Sequence, residues 1–271
     1  MAGPDVAGDC PPTLGGEPGS LFDQTPSRLR LRAEADWLIF EGEVLDGSAV
    51  EFHEEAERRG FCRLLTYEPS FCDPACDAAE VCIGGACRAY PSRLAIGTLE
   101  LTSVAAEHIA VEPSPLQHYD WMTEELGVTD VQAFGVFAPA AAGGPLELET
   151  CVVLPPDPTQ NWTDLVAARA PDEDLTLSWS NPIATARIYL RMTTGIGTHG
   201  GISPVEIECE GPDQGTLTIP GTYLDSLYAQ GWSCGESGSN QLTRYHAVES
   251  AAEAGTIQLR TDSSASFWHI P

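Results

Sequence analysis

The stretch Cys62–Pro91, CRLLTYEPSFCDPACDAAEVCIGGACRAYP, decides how this chain is read. Five of the nine cysteines fall inside it, and strand-like sequence flanks it on both sides. Cys72, Cys76, Cys82 and Cys87 are spaced C-x3-C-x5-C-x4-C, with Pro74 and the Gly84-Gly85 pair supplying turns. Four cysteines admit three pairings. Joining Cys72 to Cys82 and Cys76 to Cys87 would close loops of about 11 residues, each worth about 3 kcal/mol by chain entropy. A zinc site is the rival reading. Structural zinc prefers tighter C-x2-C pairs, and here the flanking residues are Asp73, Asp77 and Glu80. The stretch therefore reads as a disulfide knuckle between two β-rich parts.

Upstream, residues 1–26 are rich in Gly, Pro and Asp with no apolar period, and read as a flexible tail. From Arg28 the pattern becomes RLRLRAEADWLIFEGEVLDGSAVEFHE, which gives two or three strands with a turn at Asp46-Gly47. EEAERRG follows as a short helical or loop segment. So few large apolar side chains make a weak core, and such a module needs staples. The expected N-terminal module covers residues 27–90.

Downstream, residues 91–271 read as a larger antiparallel β-sandwich with one short helix, so the whole is all-β. Strands are expected at Leu94–Val104, Val131–Phe137, Leu146–Leu154, Leu175–Trp179, Thr185–Met192, Pro204–Glu210, Gly215–Ile219, Gln241–Val248 and Thr256–Arg260. The helix is Tyr223–Gly231, with Leu224, Leu227 and Tyr228 on one face. VEPSPLQHYDWMTEELG reads as a loop with room for one helical turn. Cys209 and Cys234 flank the strand and helix at 215–231 and are candidate partners. Cys10 and Cys62 are another candidate pair, which would pin the tail. That leaves Cys151, mid-strand, as the expected free thiol.

Two runs carry a resemblance. GFCRLLTYEPSFCDPACDAAEVCIGGACRAYPSRLAIGTLELTSV (Gly60–Val104) resembles a segment of uncharacterised secreted and lipoprotein-type proteins of Gram-negative soil bacteria. In these a cysteine knuckle and Tyr-Pro lead into a strand like IGTLELT. HGGISPVEIECEGPDQGTLTIPGTYLDSLY (His199–Tyr228) is similar to their C-terminal half. The resemblance implies export and architecture, and it assigns no chemistry to any residue.

Composition narrows the function classes. The net charge is −27, from 40 acidic residues against 13 basic ones. Nucleic acid and anionic membrane surfaces are poor partners for such a chain. No run of about 18 apolar residues is present to insert in a bilayer. The cysteine content favours an oxidising location: secreted, periplasmic or cell surface. The opening residues hold no basic-then-apolar leader, so an exported protein is expected to reach this form with its leader removed.

The most site-like cluster is His118-Tyr119-Asp120-Trp121, where a loop would group an imidazole, a carboxylate and two rings able to grip a sugar. Gly231-Trp232-Ser233-Cys234-Gly235 matches G-x-S-x-G, with His246 downstream as a base. The nucleophile elbow requires a strand before the serine and a helix after it, and here the order is reversed. His53 has no second histidine at helical spacing. Pro171–Asp174 and Gly211–Gly215 offer loop oxygens to Ca2+ without the spaced D-x-D-x-D-G string. No catalytic residue, metal ligand or cofactor is assigned, although Ca2+ stays possible. The expectation is an exported non-enzymatic binding or structural protein with a protein or carbohydrate ligand. The alternatives are an extracellular hydrolase working from the sandwich loops, and a Ca2+-binding β domain.

Overall fold

The computed structural model describes residues 10–15, 17, 19, 22, 27–33, 37–47, 50–102, 109–123, 132–139, 145–193, 202–230, 240–252 and 255–267. In chain order the elements are β1 (Ser27–Ala33), β2 (Leu38–Leu45), β3 (Glu54–Arg59), β4 (Cys62–Thr66), β5 (Glu80–Ile83), β6 (Ala86–Ala89) and β7 (Arg93–Leu94). Then come β8 (Leu99–Thr102), β9 (Ile109–Val111), β10 (His118–Thr123), β11 (Gln132–Ala138), β12 (Leu146–Val152) and α1 (Trp162–Ala168). The last are β13 (Leu175–Ser178), β14 (Arg187–Thr193), β15 (Val205–Pro212), β16 (Thr216–Ile219), α2 (Gly221–Ala229), β17 (Asn240–Ala252) and β18 (Gly255–Phe267). The all-β reading holds.

Ten strands form one sheet in the order β10-β2-β1-β18-β17-β14-β15-β4-β3, with β7 against β2. Every pairing in it is antiparallel except β1 with β18, which run parallel from Ser27↔Ile257 to Ala33↔Ser263. Strands from both sides of the expected boundary at residue 90 therefore interleave. The segment 27–90 gives β1–β4 to the large sheet, and only β5–β6 pair with each other alone. The reason is that β1 and β4 find their hydrogen-bond partners in β18 and β15, 230 and 139–147 residues away.

One face of the large sheet is covered in two places. Over β1, β2, β10 and part of β18 lies the four-stranded sheet β12-β11-β8-β9. Leu29, Leu31, Phe40, Leu99, Phe134, Val136 and Leu259 are among the side chains buried between them. Over β4, β14, β15 and the rest of β17 and β18 lie β13–β16, α1 and α2, burying Trp162, Leu177, Ile188, Leu190, Ile207, Tyr223 and Leu227. The core-facing row of β18 runs Ile257, Leu259, Thr261, Ser263, Phe267, passing from one apolar cluster through two hydroxyls to the other.

The hydroxyls belong to a buried polar seam where β12 meets β17 and β18. Thr261 donates to the Cys151 carbonyl, Ser263 to the Val153 carbonyl at 2.7 Å, and Thr150 faces His246 Nδ1 at 2.8 Å. Arg244 and Asp213, both with fully buried side chains, pair at 2.7 Å. Asp213 also accepts from Trp179 Nε1 and from the Ile183 amide. Buried polar groups are tolerable only when satisfied, and this row is.

Four disulfides take up eight of the nine cysteines: Cys72–Cys82, Cys76–Cys87, Cys62–Cys209 and Cys10–Cys151. The two local bonds are the first-to-third, second-to-fourth pattern. The long-range expectations need correction. Cys62 bonds Cys209, not Cys10, because β4 and β15 put the two directly opposite each other. Cys209 is thereby unavailable to Cys234, which lies outside the described residues. Cys151 is not free: its bond to Cys10 draws the N-terminal segment onto the sheet.

The described residues of that segment, between Cys10 and Phe22, are laid along the sheet as a strap. The Leu14 amide donates to the Ala247 carbonyl at 2.9 Å, beyond the point where β14 stops pairing with β17. The Gly19 amide donates to the Glu210 carbonyl at 2.8 Å, and Arg187 donates to the Glu17 carbonyl at 3.0 Å. Phe22 is buried with the Arg63 and Arg58 guanidinium groups 4.5 and 5.2 Å from its ring centroid.

Smaller differences have local causes. EEAERR is the edge strand β3, bulged at Ala56 and exposed at all six residues, so its helical-looking charges guard a sheet edge. The missed helix α1 has only seven residues, and Asn161 caps it by accepting from the Thr163 and Asp164 amides.

Candidate binding cleft

The four residues singled out in sequence, His118, Tyr119, Asp120 and Trp121, form no cluster. They lie on β10, an edge strand, and strand alternation sends neighbours to opposite faces. Tyr119 is fully buried; its hydroxyl donates to the Gly97 carbonyl at 2.8 Å and accepts from the Ile96 amide at 3.0 Å. Trp121 packs on the first apolar cluster. His118 and Asp120 take the other face.

That other face of the large sheet, away from both cores, carries the charged residues. β14 presents Arg187, Tyr189 and Arg191, and β15 presents Glu206, Glu208 and Glu210. Each contact is a diagonal cross-strand pair. Arg191 clamps Glu206 with two bonds of 2.7 and 2.8 Å. Tyr189 donates to Glu208 at 2.6 Å, and Arg187 pairs with Glu210. From the neighbouring strands, Arg63 on β4 bonds Glu208 at 2.7 Å and Tyr245 on β17 donates to Glu210 at 2.6 Å. Burial first, and then the adjoining carboxylate, pushes both phenols above their ordinary range. Both stay protonated and keep donating. Further along, Arg30 bonds Asp262 at 2.6 Å, and Arg260 sits 4.0 Å from the centroid of the Tyr245 ring.

At one end of this face the segment Val50–His53 rises beside β15 and closes a cleft of about 550 Å³. Its floor holds Arg63, Arg191, Glu206 and Glu208, and its walls include Phe52, His53 and Ile202. His53 Nε2 donates to the Ser203 carbonyl at 2.8 Å and lies 3.4 Å from Glu206. The ring leans on Tyr67 with centroids 5.9 Å apart. Half of the Arg191 side chain is exposed (52%), while its partner Glu206 is buried (4%). The cleft thus offers solvent a guanidinium edge, with a carboxylate fixed behind it.

The remaining sequence candidates fall elsewhere. His246 is buried, its Nε2 donating to the Pro11 carbonyl at 2.7 Å and its Nδ1 facing Thr150. Both nitrogens are engaged. Ser233 and His199 lie outside the described residues. In the acidic loops, Asp174 accepts from the Gly221 amide, Glu173 from the Ala170 amide, and Asp213 from four donors. Those oxygens are already committed to holding the fold. Among the described residues, one close His/Cys/Asp/Glu group has metal-ligand dimensions: Cys72, Cys76 and Cys87, each locked in a disulfide and so not a thiolate. Also among them, no helix is long and apolar enough to cross a membrane.

Sequence reasoning passed over the cleft. Its signal was the matched alternation R-x-Y-x-R at 187–191 and E-x-E-x-E at 206–210, which on adjacent strands makes a zipper. No protein-family model and no curated protein matches the chain.

Proposed function

We propose that this is an exported, non-enzymatic binding protein that holds its ligand in the cleft beside Val50–His53. One observation carries the reading: Arg63, Arg191, Glu206, Glu208 and His53 are all held by partners at hydrogen-bond distance. A general acid or base must come within hydrogen-bond reach of the substrate proton it exchanges. Here the oxygens of Glu206 and Glu208 already accept from Arg191, Arg63 and Tyr189, which leaves them badly placed to take a proton from a substrate. These groups make a rigid pattern of donors and acceptors, which lowers the ordering cost of binding. Export is supported by two disulfides that span 141 and 147 residues, bonds that a glutathione-buffered compartment would reduce.

The test is a panel of chromogenic esters and glycosides and of fluorogenic peptides, offered to the wild type and to Glu206→Gln and Glu208→Gln. No turnover above background is expected from any of them. Wild-type turnover that drops a hundredfold or more in either variant would make the cleft an active site and end the binding reading.

A further inference from the structure

The cleft does not stop at Val50 and Phe52. These two residues also line a second bay of about 560 Å³ on their other side, bounded by Tyr90, Arg93, Leu116 and Gln117 among others. We infer that the two bays are one groove for a neutral oligosaccharide. The inference rests on the first bay being the binding site proposed above.

Charge argues for the class. In the first bay Glu51, Glu206 and Glu208 stand against Arg63 and Arg191; in the second, Glu43 stands against Arg93 and is paired with it. The lining is close to neutral inside a molecule of net charge −27. A polyanion is repelled by the whole molecule before it reaches the groove. A polycation meets Glu206, Glu208 and Glu43, which already hold guanidinium partners. A ligand with hydroxyls and no charge loses nothing on either count.

Shape and surface argue the same way. Sugar rings present apolar C–H faces to aromatic rings and hydroxyls to planar polar groups. Phe52 stands at the junction of the bays, and Tyr90 is half exposed (50%) in the second. Arg191 with Glu206, and Arg93 with Glu43, put planar donor and acceptor pairs in the two bays.

The experiment is calorimetric titration of the whole protein with linear neutral hexasaccharides of glucose, xylose, mannose and N-acetylglucosamine, beside hexagalacturonate and hexalysine. Tyr90→Ala, Tyr90→Phe and Phe52→Leu are titrated in parallel, with thermal melting to confirm that each is folded. At least one neutral chain should bind. Tyr90→Ala and Phe52→Leu should each weaken it roughly tenfold, and Tyr90→Phe about twofold or less. Binding of hexagalacturonate or hexalysine alone, sensitive to Phe52→Leu, would overturn the neutral class and leave the cleft as the site. A neutral chain bound equally by wild type, Tyr90→Ala and Phe52→Leu would overturn both readings. Folded protein that binds no neutral chain overturns the inference.

Discussion

The knuckle and the sheet body are held together by different means. From Tyr67 to Pro91 no residue is buried, and Phe71 is almost wholly in solvent. The hairpin β5–β6 and two disulfides closing 10 and 11 residues supply the order there. In the body, by contrast, whole rows of leucine, isoleucine and tryptophan are removed from water, and the disulfides tie segments more than 140 residues apart. A short chain segment with nothing to bury can still be ordered by covalent closure, which acts on the unfolded state. A large sheet needs burial first, and its long-range bonds then remove far more chain freedom.

Breaking the bonds region by region should separate these regimes. The chain-entropy relation gives about 5 kcal/mol for the Cys62–Cys209 loop and about 3 kcal/mol for either knuckle loop. Cys62→Ala with Cys209→Ala should therefore lower the urea midpoint of the whole protein markedly. Cys72→Ala with Cys82→Ala should speed hydrogen exchange at Glu80–Ala89 while leaving the body's midpoint nearly unmoved. A comparable global loss from both pairs would mean that the knuckle is coupled to the sheet after all.

Next in size is Arg244→Met. It leaves the Asp213 carboxylate buried without its cation, and breaking such a pair from one side costs about 3–5 kcal/mol. The loss should appear in the body's unfolding midpoint, with exchange in the knuckle unchanged. A loss below about 1 kcal/mol would show that water reaches the seam.

The smallest effect is a pH dependence confined to the body. Burial holds the His246 imidazole below its ordinary pKa, against the smaller raising effect of the Pro11 carbonyl. A histidine lowered on folding contributes fully above its unfolded pKa of about 6.5, and that contribution is lost as pH falls below it. Unfolding free energy should decline between pH 7 and 5 by at most about 1.4 kcal/mol per pH unit. His246→Gln should flatten that slope. An unchanged slope in the variant would assign it to other groups.

The same divide governs what could be read from sequence. The knuckle's four cysteines lie within 16 residues, so spacing alone confined the choice to three pairings, of which the first-to-third, second-to-fourth one forms. Nothing near Cys62 or Cys10 points to Cys209 or Cys151, because those bonds follow from which strands become neighbours. Strand periodicity located β11 to β17 and the start of β18, since alternation is a local property; it stopped at Arg260, where β18 runs on to Phe267 through Thr261 and Ser263. It lost β10, whose approach through Pro113 and Pro115 reads as loop, and β3, whose Glu and Arg read as helix. Had β10 been read as a strand, its alternation would have separated His118 and Asp120 from Tyr119 and Trp121. The cleft draws on residues 50–53, 63–65, 191–193 and 202–208, four stretches that only the sheet order brings together.

The position of β18 sets a timetable. It lies in the middle of the large sheet, with β1 on one side and β17 on the other, yet among the described strands it is the last to be synthesised. Until then β1 has an empty flank, and the β2–β1 and β17–β14–β15–β4 groups cannot be joined. Contacts this remote in sequence form late. A chain cut short before Gly255 would present two open strand edges to proteases and to other chains, so quality control can act on it.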